Sequence, residues 1–155
     1  MSMISLPYYE ILLRLGLSTL CAIVFGAERY RRKKPVGVRT NILVALAACQ
    51  TAIISGYGFI GSSVAYSGDI IVTSDPARLV VGILGGVGFI GAGIIYKSPA
   101  GTIRGITTAT QVFLIAVIGI GFGLGLYSLS MTTAIIAFFT IQSSMLRNLF
   151  FKKNK

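Results

Sequence analysis

The sequence predicts an all-α protein whose helices cross a membrane, and three observations lead to that fold class. Of its 155 residues, 54% are hydrophobic and only 12% are charged, and the mean hydropathy is +0.83. A soluble domain of this length cannot bury that much apolar surface. Five apolar runs approach the roughly 20 helical residues that cross a hydrocarbon core, and basic residues lie in the links between them. We expect a glycine-rich, polytopic helical bundle in the inner, or plasma, membrane, with the lipid bilayer around it.

The predicted spans cover residues 6–27, 41–60, 78–96, 107–126 and 130–149 of one domain that occupies residues 1–155. The first apolar run follows no basic segment, and Glu10 and Arg14 interrupt it, so we interpret it as a retained helix and not as a cleaved signal peptide. Because the link around residues 127–129 is very short, four spans with a re-entrant segment are the alternative. We expect no soluble C-terminal domain.

The distribution of charge predicts that the N-terminus lies outside and the C-terminus inside. The first link is strongly basic, whereas the second contains Asp69 and Asp75 and no lysine or arginine. The third link and the C-terminal tail are again basic, and basic links face the cytoplasm. The formal net charge of +10 is thereby explained by topology, and we expect no nucleic-acid partner.

Small residues recur four positions apart along the predicted helices. Such faces let helix backbones approach closely in lipid, so we expect tight packing. More of these faces exist than a five-helix bundle needs, which predicts a homodimer. The alternative is that the glycines line a narrow path or allow bending, above all in the third span. The spaced residues are Ala22 and Gly26; Ala48, Ala52 and Gly56; Gly82 and Gly86; Gly88 and Ala92; Gly119 and Gly123; and Gly121 and Gly125.

Three charged residues in or next to the first span need partners. Glu10 and Arg14 are four apart and can pair on one helix face near the outer interface, where Tyr8 and Tyr9 fit an aromatic belt. Glu28 lies at the cytoplasmic end, where the helix dipole disfavours an anion.

Local and interhelical partners for Glu28 are both open. Arg31 or Arg32 could pair with it along the same helix, and Arg39 or Arg104 could do so from elsewhere in the bundle. Local pairs of this kind contribute only a few tenths of a kcal/mol. The residue types therefore do not choose between the two.

Further polar residues mark the ends of the later spans. Asp75 followed by proline predicts a helix start, and Arg78 in the first turn then needs an acidic neighbour. Thr107, Thr108, Thr110 and Gln111 form a polar opening to the fourth span. The threonines either bond to their own helix backbone or belong to a polar cluster at the inner mouth.

Catalytic constellations are missing from the sequence, and we expect no enzyme. The chain contains no histidine, and it has no P-loop, dinucleotide fingerprint or nucleophile elbow. Its four carboxylates cannot build a rich cage for a divalent cation. Mg²⁺ often binds through one or two carboxylates and its own waters, so Asp75 and Glu28 are the candidates for metal contact. We expect no resident cofactor, with Mg²⁺ as a possible ligand or substrate.

Five short motifs occur in a fixed order along the chain. They are Gly26-Ala-Glu-Arg29, Lys34-Pro-Val-Gly-Val-Arg-Thr40, Asp75-Pro-Ala-Arg78, Gly86-Val-Gly-Phe-Ile-Gly-Ala-Gly93 and Arg104-Gly-Ile-Thr-Thr-Ala109. Their order and spacing, from about residue 6 to residue 127, resemble the MgtC/SapB family of bacterial membrane proteins. The resemblance implies a role in magnesium homeostasis and, in some members, in survival inside a host. It also implies, for some members, binding to other membrane proteins such as the rotary ATP synthase.

The resemblance carries over only to positions that match the family pattern. These are Glu28, Arg29, Pro35, Gly37, Arg39, Thr40, Asp75, Arg78, Gly88, Gly91, Gly93, Gly105, Thr107 and Thr108, to which Arg104 at the head of the last motif is added. Asn41 stands where the family often has histidine, and the segment at residues 111–113 lacks the tryptophan often found there.

Three functional hypotheses follow. The chain is predicted to be a magnesium-homeostasis protein that takes part in Mg²⁺ transport, or a non-transporting regulator that binds other membrane proteins through its helix faces. The third hypothesis is that the basic first link attracts anionic lipids at the cytoplasmic face, although the same charges are explained by topology alone. The cluster comprises Arg29, Arg31, Arg32, Lys33 and Lys34.

Overall fold

The fold is a bundle of five α-helices with a short β-hairpin, and it confirms the predicted all-α class. A computed structural model describes residues 6–58 and 77–150, with side chains up to residue 142. The helices are α1 (Tyr8–Arg31), α2 (Val38–Ile53, continued by a π-helical turn at Ile54–Gly58), α3 (Ala77–Ile94), α4 (Ile106–Gly123) and α5 (Tyr127–Phe150). The strands β1 (Tyr96–Lys97) and β2 (Ile103–Arg104) pair antiparallel between α3 and α4.

Four of the helices are long and apolar enough to cross a membrane across the described ranges. They are α1, α2 with its π turn, α3 and α4, while the part of α5 whose side chains are described, Tyr127–Gln142, is apolar but shorter. The five predicted spans therefore correspond to the five helices. Their bounds differ by up to four residues: α1 continues to Arg31, α2 begins at Val38, α4 ends at Gly123 and α5 begins at Tyr127. The third helix ends at Ile94, because a hairpin begins at Tyr96.

Helix α4 forms the centre of the bundle, and α3 lies at its side. Two thirds (67%) of the apolar window of α4 is buried, against 11% for α3. One core cluster contains Phe25, Cys49, Ile118 and Phe122 and joins α1, α2, α4 and α5. A second cluster joins α2, α3 and α4. Each cluster uses a different face of α4, which explains why this helix is apolar all round.

The tight packing predicted from small residues is confirmed for α1, α2 and α4. A Cβ atom at Gly26 would lie 2.5 Å from Val38 Cα, and one at Gly119 would lie 2.7 Å from the carbonyl oxygen of Ala45. At Gly123 it would run into the carbonyl oxygen of Cys49. Backbones at this separation leave no space for any side chain.

Helix α1 ends in a Schellman motif that has lysine where glycine is usual. The amide of Lys34 donates to the carbonyl of Arg29, and the amide of Lys33 donates to that of Tyr30. Lys33 therefore occupies the left-handed position, at φ 50°, which glycine fills most easily. The absence of this glycine explains why the helix end was predicted four residues too early.

The β-hairpin carries Arg104 to the start of α4. Its turn is closed by bonds from the amide of Ser98 to the carbonyl of Thr102 (2.8 Å) and from Gly101 to Ser98 (2.9 Å). Gly105 follows at φ 95°, and a side chain there would collide with the carbonyl oxygen of Ile94. Only glycine can make this junction, since both the backbone conformation and the space exclude a Cβ.

Candidate functional site

A cleft of about 1230 Å³ opens at the end of the bundle where α1 ends and α4 begins. Its walls are the last turn of α1 with the following link, the hairpin, the first turns of α4 and one side of α5. This end carries the basic first link, which the charge rule predicts to face the cytoplasm.

The lining is strongly cationic. Arg29, Arg32, Lys33, Lys34 and Arg104 line the cleft, together with a single carboxylate, Glu28. Charges that share a cleft with low-dielectric walls reinforce one another and attract ions of opposite sign. The cleft is therefore suited to bind an anion.

Two side chains connect α1 to α4 inside the cleft. Arg29 is only 4% exposed, and its Nη2 donates a hydrogen bond to Thr108 Oγ1. Gln111 Nε2 donates in return to the carbonyl oxygen of Phe25 (3.3 Å), near the end of α1. Thr108 thus belongs to a polar cluster, whereas Thr110 bonds to the backbone of its own helix. Both interpretations offered for the threonines hold, each for a different residue.

Glu28 pairs with its neighbour on the same helix. Its Oε1 forms an ion pair with Arg32 Nε, so the local partner occurs in place of the interhelical ones, Arg39 and Arg104. Arg32 also reaches α5, where its Nη2 donates to Gln142 Oε1 at 2.8 Å. Glu28 lies at the end of α1 where the helix dipole disfavours an anion. Its charge is balanced by Arg32, which also bonds to α5.

Besides Glu28 Oε1, whose partner is the ion pair with Arg32, three buried polar atoms in the cleft lining have no hydrogen-bond partner among the described residues. They are Arg29 Nε, Glu28 Oε2 and Gln111 Oε1. Buried polar groups nearly always have a hydrogen-bond partner in native proteins. We therefore expect each of these atoms to bond to a group outside the described residues. One of the three is a donor and two are acceptors.

The first turn of α4 adds backbone donors. Gly105 is its N-cap and supplies no side-chain hydrogen bond. The first amides of a helix have no partner within it and carry the positive end of its dipole. Because Gly105, Ile106 and Thr107 line the cleft, this positive end faces the same space as the cations.

Seven of the predicted site residues meet in the cleft: Glu28, Arg29, Pro35, Arg104, Gly105, Thr107 and Thr108. The others lie elsewhere. Gly37 is the N-cap of α2, followed by exposed Arg39 and Thr40 in its first turn, and Arg78, Gly88, Gly91 and Gly93 lie on α3. Asp75 falls outside the described residues.

Metal contact by Glu28 and Asp75 stays a prediction. Within residues 6–58 and 77–150, no three acidic or cysteine side chains come together in a group suited to a metal ion. Glu28 is 8% exposed and is already paired with Arg32.

A second polar cluster surrounds Arg14 at the opposite end of the bundle. The predicted pair with Glu10 is confirmed, but Arg14 is only 3% exposed and does more than anchor an interface. It donates to Tyr57 Oη at 3.0 Å, to Tyr127 Oη at 3.3 Å and to the carbonyl of Gly123 at 2.6 Å.

Sequence reasoning missed both tyrosines of this second cluster, as well as Gln142, which accepts a hydrogen bond from Arg32. Tyr57 lies near the outer end of the predicted second span, and Tyr127 directly follows the predicted fourth span. The predicted topology puts both tyrosines on the same side of the membrane as Arg14. That shared side is the signal that could have identified them.

Comparison with known proteins places these motifs in a family. The model of the MgtC family matches residues 15–148. The chain is 33% identical to Protein SapB of Bacillus subtilis over 118 residues, which is 76% of this chain and 49% of that protein. It is 31% identical to the protein named Putative magnesium transporter YhiD of Escherichia coli over 137 residues, 86% of this chain and 60% of that one.

A third relative is Protein MgtC of Salmonella typhimurium, 35% identical over 134 residues, which is 86% of this chain and 51% of that protein. No solved structure gives a significant match. The chain spans about half the length of the curated relatives it matches. Its apolar helices make it a multi-pass protein of the inner membrane. Because the family model covers most of its length, the chain belongs to the MgtC family.

Proposed function

We propose that this chain is a membrane component of magnesium homeostasis. The family match supports this role, and so does the name of one relative as a magnesium transporter. The matching region contains all seven residues that meet in the cleft. We therefore propose that the cleft, which Glu28 and Arg29 help to line, is the functional site.

Between conduction and regulation, the charge of the cleft supports regulation. A divalent cation that approaches this end meets five basic side chains within one cleft. Repulsion between fixed charges acts over about 8 Å at physiological salt and is stronger beside low-dielectric protein. Among the described residues that line the cleft, the one carboxylate, Glu28, is paired with Arg32. The cationic lining is the observation that carries the proposal of a non-transporting regulator.

The face of α3 supplies a surface for such a regulator to bind a partner. A Cβ at Gly82, Gly85, Gly86, Gly88 or Gly93 would meet no described atom within 4 Å. Phe89 on the same helix is 82% exposed. Small-residue faces in membranes are typical of helix–helix contact, where they permit close approach. We propose that a second copy of the chain, or another membrane protein, packs on α3.

Magnesium transport is the second candidate. One relative's name supports it, and the glycine-rich α3 is a helix that bends more easily than the others. In this alternative Glu28 is the cation contact in the cleft, and Asp75 remains the second candidate predicted from the sequence.

Magnesium flux into liposomes that contain the purified chain separates the two candidates. The regulator predicts no saturable flux above empty liposomes under either gradient polarity. Saturable flux that is lost in Glu28→Gln, and retained in the exposed control Arg31→Gln, would assign transport. Circular dichroism of each variant shows that it is folded.

Partner binding is tested by cysteine crosslinking in native membranes, with Cys21 and Cys49 replaced by alanine. We expect Gly88→Cys on α3 to crosslink to a second copy or to another protein. Gly16→Cys is the matched control, because Gly16 also has nothing within 4 Å but lies on α1. Equal crosslinking at both positions would contradict a specific α3 interface.

A further inference from the structure

We propose that the cleft binds a phosphate ester that carries hydroxyl groups, and that its source is an anionic glycerophospholipid. The site consists of Arg29, Arg104 and the first turn of α4 for the phosphate, and of Glu28 and Gln111 for the hydroxyls. Neither the charge rule nor membership of the family requires a ligand in this cleft.

The phosphate end of the site is formed by donors from three elements. Arg29 comes from α1, Arg104 from β2 and the uncapped amides from α4. Arginine binds phosphate oxygens through charge-assisted hydrogen bonds, and a helix N-terminus is a ready site for phosphate. Arg29 has one donor, Nε, that is buried and unused. This buried donor without a partner distinguishes the site from an ordinary basic surface.

The two unused acceptors explain why the ligand carries hydroxyls. Glu28 Oε2 and Gln111 Oε1 are buried in the lining without hydrogen-bond partners. An inorganic phosphate dianion offers at most one hydroxyl hydrogen for these two acceptors and is repelled by the Glu28 carboxylate. A ligand that has both a phosphate and hydroxyl groups satisfies the donor and the acceptors together. The headgroup of phosphatidylglycerol has this combination.

The apolar part of the cleft favours a lipid over a soluble phosphate ester. Leu114 on α4 and Ile136 and Ala137 on α5 line the side of the cleft that continues along the bundle. Ile136 is exposed, so this wall is open to the surrounding hydrocarbon. A headgroup among the cations would therefore place its acyl chains in the groove between α4 and α5.

The test is a lipid titration of the detergent-solubilised chain followed by native mass spectrometry. Phosphatidylglycerol is compared with phosphatidic acid, which lacks the hydroxyls, and with phosphatidylcholine, which lacks net charge. We expect one phosphatidylglycerol bound per chain, ahead of both others. Arg104→Gln, at an exposed position, should weaken this binding about tenfold. The control Arg31→Gln removes a nearby charge outside the cleft and should change binding by no more than about twofold.

A change in lipid preference tests the roles of individual atoms. In Glu28→Gln the repulsion of phosphate falls and the hydroxyl loses its charged acceptor. The preference for phosphatidylglycerol over phosphatidic acid should therefore shrink, by about threefold or more. A purely structural role of Glu28 would lower the affinity for both lipids alike and leave the preference unchanged, which would overturn its assignment.

Two results would overturn the site itself. One is equal loss of binding in Arg31→Gln and Arg104→Gln, which would mean that only surface charge attracts the lipid. The other is equal binding of phosphatidylcholine. Displacement of the lipid by soluble glycerol phosphate at comparable concentration would support the phosphate site and overturn the lipid as its source.

Discussion

Arg14 Nη1 on α1 donates a hydrogen bond of 2.6 Å to the carbonyl oxygen of Gly123, the last residue of α4. The preceding two carbonyls are satisfied by a Schellman motif, in which Leu126 donates to Gly121 and Gly125 donates to Phe122. That motif provides no backbone donor for the carbonyl of Gly123. Arg14 therefore completes the end of the central helix and places a cation at the negative end of its dipole.

Replacement of Arg14 by glutamine should destabilise the bundle. The variant loses the bond to Gly123, leaves Glu10 without its cation and removes the contacts to Tyr57 and Tyr127. Breaking a largely buried, hydrogen-bonded ion pair lowers the free energy of unfolding by about 2–4 kcal/mol. Reversible unfolding in mixed micelles measures the loss.

Arg31→Gln is the control for Arg14, because Arg31 is an exposed arginine on the same helix. Its free energy of unfolding should stay within about 0.5 kcal/mol of the wild type. If both variants lost the same stability, general charge and not the Gly123 contact would explain the effect of Arg14.

The glycines of α4 and α3 should respond oppositely to alanine. In Gly123→Ala the new methyl group would run into the carbonyl of Cys49 and lie 2.7 Å from Ala52 Cβ, which should cost about 1–3 kcal/mol. In Gly88→Ala no described atom lies within 4 Å, and alanine raises helix propensity by up to about 1 kcal/mol. Unfolding of the monomer in dilute micelles compares the two.

Gly88→Ala also separates the fold from its assembly. If α3 packs against a second copy, the same substitution should weaken the dimer in bilayers while the monomer is unharmed. Loss of monomer stability in Gly88→Ala would contradict the open face seen on α3.

Lys33→Gly should stabilise the end of α1. Lys33 occupies the left-handed C′ position of the Schellman motif at φ 50°, which costs a non-glycine residue about 1–2 kcal/mol. Glycine removes that cost, and the expected gain in the free energy of unfolding is about 1 kcal/mol. Lys34→Gly is the matched control: it removes the same charge at a neighbouring position without positive φ, and should bring no gain.

The helices could be predicted because hydropathy and loop charge act over long segments. The ends of α1 and α3 could not, since they depend on local backbone conformation. Lys33 ends α1 without the glycine that usually marks such a position. The apolar residues Ile95 and Tyr96 follow the end of α3 and lead into β1, so the apolar pattern continues past the end of the helix.

The site was predictable as a set of residues but not as a geometry. Glu28 could be singled out because a charge near a bilayer needs a partner, whereas Arg29 was included through the family resemblance and the basic cluster. The choice of Arg32 over Arg104 as the partner of Glu28 depends on side-chain packing at α5, through Gln142. No pattern within a single helix contains that information.

The orientation of the bundle is predicted from charge alone and can be tested on α1. Its two ends carry exposed residues, Tyr8 and Lys33. With Cys21 and Cys49 replaced by alanine, Tyr8→Cys should react with a membrane-impermeant maleimide from outside intact spheroplasts. Lys33→Cys should react only after the membrane is opened, because the basic first link faces the cytoplasm. Reaction of Lys33→Cys from outside would reverse the topology and would place the cationic cleft, together with its proposed phosphate ligand, on the outer face.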